Sequence, residues 1–166
     1  MENRIQRITP FLWFDDQAEE AATFYTSVFE NSRIVDVTRY DREAAATTRR
    51  PEGSAMTVSF ELAGQSFTAL NGGPHYSFTP AVSFVVHCST QEEIDHYWEK
   101  LSQGGDEKAL QCGWLKDRFG LSWQVVPKQL FETIGGDDAA GRQRAMAAMM
   151  QMTRLDVARL QAAYAG

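Results

Sequence analysis

Cysteine is scarce in this chain: Cys88 and Cys112 are the only two in 166 residues. They form no C-x-x-C pair and no framework, so a disulfide scaffold is excluded and reduced thiols are expected. Long hydrophobic runs are missing as well. No stretch approaches the roughly 18 uninterrupted apolar residues of a membrane span, and the opening M-E-N-R-I-Q-R-I has no apolar signal core. A cytoplasmic chain with no membrane partner is therefore expected. Basic clusters are absent beyond Arg49-Arg50, and 16 Lys and Arg against 22 Asp and Glu leave a net charge of -6. That balance argues against nucleic acid as a partner. Histidine is limited to His75, His87 and His96.

What the chain does contain is a repeat. Residues 11 to 29, F-L-W-F-D-D-Q-A-E-E-A-A-T-F-Y-T-S-V-F, and 84 to 102, F-V-V-H-C-S-T-Q-E-E-I-D-H-Y-W-E-K-L-S, share a pattern displaced by 73 positions. The shared letters are an apolar quartet, a polar cap, a Glu-Glu pair and an aromatic pair. E-L-A-G-Q-S-F-T-A-L from Glu61 is echoed by D-R-F-G-L-S-W-Q-V-V from Asp117. Such self-similarity signals one supersecondary unit used twice.

Ile5 to Phe14 reads as a strand, β-branched and aromatic, with Pro10 marking an edge or a start. A helix should follow, capped by Asp16 ahead of Glu19, with Ala18, Ala21, Ala22, Tyr25, Val28 and Phe29 on one face. Strands are predicted at 32 to 40, 55 to 62 and 65 to 71, the last two joined at Gly64. Residues 41 to 53, polar and aperiodic, read as a mobile loop. In the second half Ala81 to Cys88 is a strand, Ser89 caps a helix running to about Gln103, and 110 to 116 with 121 to 126 make a closing hairpin. Helices are expected over 141 to 152 and from a Thr153-x-x-Asp156 start to Tyr164. The methionines at 146, 149 and 150 suit packing, a dimer contact or a ligand wall. The organisation expected is one domain built from 1–76, 77–128 and a helical extension, 129–166.

Several segments carry a family resemblance: T-P-F-L-W-F-D from Thr9, A-E-E-A-A-T-F-Y from Ala18, F-T-A-L-N-G-G-P from Phe67, C-G-W-L-K-D-R-F-G-L-S-W-Q-V-V-P from Cys112 and A-M-A-A-M-M-Q-M from Ala145. The chain resembles the PhnB-like branch of the vicinal oxygen chelate superfamily, the group of glyoxalase I, bleomycin-resistance proteins and extradiol dioxygenases. The resemblance implies an α+β fold: duplicated βαβββ modules in a curved, mixed, mostly antiparallel sheet around a pocket, with C-terminal helices and a homodimer. The branch often carries the label 3-demethylubiquinone-9 3-methyltransferase. A methyl donor commonly sits on a Gly-rich turn, and no G-x-G occurs here.

The superfamily's metal positions align with Thr9, Thr68, Val82 and Gln124. Zinc, iron, nickel or manganese needs imidazole, thiolate or carboxylate ligands, so no metal and no cofactor are expected. A one-residue shift in register brings in no His, Cys, Asp or Glu either. The residual catalytic candidates are His75 on the connection between halves, His87 at a strand end and Asp117 in the closing turn, each open to a structural role. His96 reads as solvent-facing and the Glu19-Glu20 and Glu92-Glu93 pairs as helix caps. Strand alternation groups Thr9, Phe11, Trp13, Thr68, Asn71, Trp114 and Gln124 as a pocket for a flat or apolar small molecule, with ordinary core aromatics as the alternative. The function expected is small-molecule binding; a lyase, isomerase or dioxygenase of the same superfamily is the alternative.

Overall fold

The computed structural model describes residues 5–166; the first four residues of the N-terminal segment, read above as free of a signal core, lie outside them. The chain forms two compact units that meet in sequence at Ser77 and Phe78. Both are mixed α+β, and the C-terminal helices belong to the second.

The first unit runs β1 (Phe11–Phe14), α1 (Ala18–Val28), β2 (Arg33–Arg39), α2 (Arg42–Thr48), β3 (Ala55–Leu62) and β4 (Gln65–Asn71). Its sheet has the order β1-β4-β3-β2, with β1 parallel to β4 and the other pairs antiparallel. Strand alternation sends Leu12, Phe14, Val58, Phe60, Phe67 and Ala69 to the face that α1 covers. The small residues Ala18, Ala21 and Ala22 let the helix approach closely, and Tyr25 stacks on Phe60, which stacks on Phe67.

Three expectations are corrected here. The opening strand starts at Phe11, not Ile5; upstream, the Gln6 side chain imitates a ladder partner, donating to Ser66 O (3.0 Å) and accepting from Ser66 N (2.9 Å). Asp16 does not cap α1. Its N-cap is Gln17, which makes no side-chain capping bond, and the Ala18 N–H donates instead to Asn71 Oδ1 at 2.8 Å. Residues 41 to 53 are not a bare loop: Asp41 Oδ1 accepts from Ala44 N and caps α2, which ends at a left-handed Arg49.

The second unit runs β5 (Ser83–Cys88), α3 (Gln91–Ser102), a 3-10 turn (Glu107–Ala109), β6 (Trp114–Lys116), β7 (Ser122–Pro127), α4 (Leu130–Thr133), α5 (Ala139–Met149) and α6 (Val157–Ala165). The sheet order is β5-β7-β6, with β5 parallel to β7. It has the three strands read from the residues, one fewer than the βαβββ module that the resemblance implies, and the turn at Glu107 stands where the first unit builds β2. The cap of α3 is Thr90, one residue after the Ser89 expected. The cap of α6 is Asp156, whose Oδ1 accepts from Arg159 N, so Thr153 has no capping role. The short α4 has no counterpart among the predicted elements.

Ile94, Trp98 and Leu101 of α3 bury against one face of this sheet with Leu115, Trp123 and Val125. The C-terminal extension is tied down by backbone bonds from Cys112 N to Met152 O and from Gly113 N to Thr153 O, both 2.8 Å. Gln91 adds a second clamp, donating to Leu155 O (3.1 Å) and accepting from Val157 N (2.9 Å). Met152, Leu155 and Leu160 make a small core of their own beneath these bonds. Among the described residues no helix is long and apolar enough to cross a membrane.

Candidate functional site

Each sheet has a face that its main helix leaves uncovered. In the first unit alternation places Phe11, Trp13 and Thr68 there, with Thr9 of the same parity exposed just before β1. Phe11 is 60% exposed. Trp13 is fixed more firmly: its Nε1 donates to Gly73 O (2.9 Å) and its ring meets Tyr76 and His75 edge-on. Gly72 is required under that ring, since a Cβ there would lie 2.2 Å from it. Asn71 has the opposite parity. It is buried on the helix side, where Oδ1 accepts from Ala18 N, Nδ2 donates to Ala55 O (3.1 Å), and its backbone oxygen accepts from Tyr40 OH (2.6 Å).

In the second unit the uncovered face carries Trp114 and Gln124, which the register sets directly opposite each other. They share a cleft of about 530 Å³. Its other walls come from Cys112, Val126, Leu130, Met149, Met150 and Leu155, with Lys108, Ala109 and Gln111 at the 3-10 turn and the segment after it. Gln124 Nε2 donates to Ser83 Oγ at 2.9 Å, which fixes the amide and leaves Oε1 as an acceptor. Cys112 Sγ donates to Met150 Sδ at 3.8 Å across the wall. The lining is aromatic and thioether, with few polar groups. Of this lining, sequence reasoning named Trp114 and Gln124. The methionine run was the available signal, and it was open between packing and a ligand wall.

The three catalytic candidates occupy separate places. His75 is exposed beside Trp13, and His87 is exposed beside Phe131 at 6.3 Å between ring centres. Asp117 is buried. Its Oδ1 accepts from Phe119 N (2.8 Å) and Leu121 N (3.0 Å), and its Oδ2 accepts from the Trp123 indole (2.8 Å). Those bonds fold the turn between β6 and β7. Among the described residues no three His, Cys, Asp or Glu side chains are grouped so as to hold a metal ion. The hydroxyls, amide and alkyl group at Thr9, Thr68, Gln124 and Val82 do not fit a divalent metal either.

The two thiols differ in environment. Burial, with a smaller contribution from Glu93, pushes the Cys88 thiol up to about 12. The thiolate is the reactive species, so Cys88 stays protonated and inert at pH 8. Half-exposed Cys112 is the reagent-accessible thiol. Titration of the native protein with a thiol reagent at pH 8 is expected to modify one cysteine per chain, and Cys112→Ser to leave none. Reaction at Cys88 before unfolding would contradict the packing of β5.

With this geometry in place, the chain can be set against known proteins. The family described as 3-demethylubiquinone-9 3-methyltransferase matches residues 6–126. The PhnB protein from Bacillus cereus is 40% identical, covering 74% of this chain and 99% of that one, with a TM-score of 0.64. The fosfomycin resistance protein FosX from Mesorhizobium loti is 13% identical over 77% of this chain and 95% of that one, with a TM-score of 0.52, a likeness of fold alone. No curated protein matches the chain.

Proposed function

The chain belongs to the 3-demethylubiquinone-9 3-methyltransferase family, the PhnB-like branch of the vicinal oxygen chelate superfamily, and from that premise we propose that it is a cytoplasmic, homodimeric protein that binds a small organic molecule without a divalent metal. One observation carries the binding reading: the cleft on the uncovered face of the second sheet, where Trp114 supplies a flat wall and Gln124 an oriented amide. An apolar concavity with few fixed polar groups selects by shape and by one or two hydrogen bonds. Drug sequestration is the activity class such a site serves without further chemistry.

The test is native mass spectrometry of protein purified without denaturation. A stoichiometric organic adduct is expected, and Trp114→Ala is expected to weaken its binding about tenfold, the worth of ~1.4 kcal/mol of lost aromatic contact. An adduct indifferent to Trp114→Ala and Gln124→Ala would remove the cleft from consideration. The methyl transfer named in the family description is tested separately, by titration with S-adenosylmethionine. Elemental analysis tests the metal-free state, which stoichiometric metal would overturn. The dimer is checked by sedimentation, where only an 18.7 kDa species at micromolar concentration would end that part of the proposal.

A further inference from the structure

The charge of the cleft specifies its occupant further. Lys108 is its one charged lining residue among the described residues, in a chain whose net charge is -6. The two acids beside Lys108 in sequence do not line the cleft, and Asp106 turns back so that its Oδ1 accepts the Lys108 N–H at 3.0 Å. Lys108 is exposed on the short turn Glu107–Ala109 and makes no ion pair among the described residues. In the same cleft, the Gln124 amide donates an N–H to Ser83 and keeps Oε1 as an acceptor. Trp114, Met149 and Met150 line the same cleft, surfaces that favour a planar ring.

We propose that the cleft takes a flat aromatic anion, a carboxylate or phenolate on a ring system, with the charge at Lys108 and the ring against Trp114. A cationic or uncharged ligand of the same shape gains no ion pair there, and a cation meets repulsion. The lone positive charge among the described lining residues also draws an anion in, in a chain whose net charge works the other way. This inference rests on the reading of the cleft as a binding site.

Three probes with one ring system separate the possibilities: 2-naphthoate, 2-naphthamide and 2-naphthylmethylammonium, titrated by calorimetry at low salt into the full chain. Naphthoate is expected to bind about fivefold more tightly than the amide, the scale of an exposed ion pair, with the ammonium compound weakest. Lys108→Glu is expected to invert the order while leaving the amide unchanged. Equal binding of naphthoate and amide, or an order that survives Lys108→Glu, would overturn the anion assignment and leave the cleft as a neutral aromatic site. Failure of all three to bind, or binding unaffected by Trp114→Ala, would overturn the binding site itself.

Discussion

Asp117→Ala is expected to destabilise the second unit by about 3 to 5 kcal/mol, the range for stranding several buried donors at once. The substitution removes the acceptor of the Phe119 and Leu121 backbone N–H groups and of the Trp123 indole, and the site is too enclosed for water to replace it fully. The turn between β6 and β7 would open, and with it the pairing that sets Trp114 opposite Gln124. Asp117→Asn should cost less, about 1 to 2 kcal/mol, because the amide oxygen keeps the two backbone donors while its NH₂ confronts the indole N–H. Urea unfolding followed by tryptophan fluorescence measures both. A variant as stable as the parent would return Asp117 to the list of candidate bases.

Asn71→Ala is the counterpart in the first unit, with an expected loss of about 2 to 4 kcal/mol. One side chain there caps α1 and satisfies Ala55 O on a neighbouring strand, so its removal orphans a helix N–H and a carbonyl together. Asp16→Ala, by contrast, should change stability by less than about 0.5 kcal/mol, as for an exposed residue with no cap to lose. Circular dichroism of the two variants through a urea series distinguishes them. Equal losses would mean that the helix start is held from Asp16 after all.

That pair of variants also marks where the sequence was readable. β3 and β4 coincide with their predicted limits because alternation and the Gly64 turn are local signals. The bulk of α1 was equally clear from its alanine and tyrosine spacing. Its cap was not, since Asn71 lies 53 residues from Ala18 and only the folded sheet brings them together. α2 was legible and overlooked: Asp41 followed by Ala44, Ala45 and Ala46 is a capped helix, masked by the polar residues around it. The three strands of the second unit were legible too, whereas the fourth that the family's module implies is missing, with the turn at Glu107 where β2 would stand. For the site, alternation placed Phe11, Trp13, Thr68, Trp114 and Gln124 on the uncovered faces. It failed for Asn71, which has the other parity, and it had no means of bringing Met149, Met150 and Leu155 to Trp114. That encounter depends on the backbone bonds at Cys112 and Gly113, which no local pattern encodes.

Those two bonds have a consequence for the cleft. Trp114 and Gln124 lie within residues 6–126, the span the family matches, whereas Leu130, Met149, Met150 and Leu155 line the cleft from beyond it. The sheet and the methionine wall of the cleft therefore come from separate stretches of the chain, joined through those bonds. The cleft as a whole depends on the docking of the C-terminal segment at Cys112 and Gly113 as much as on the strands.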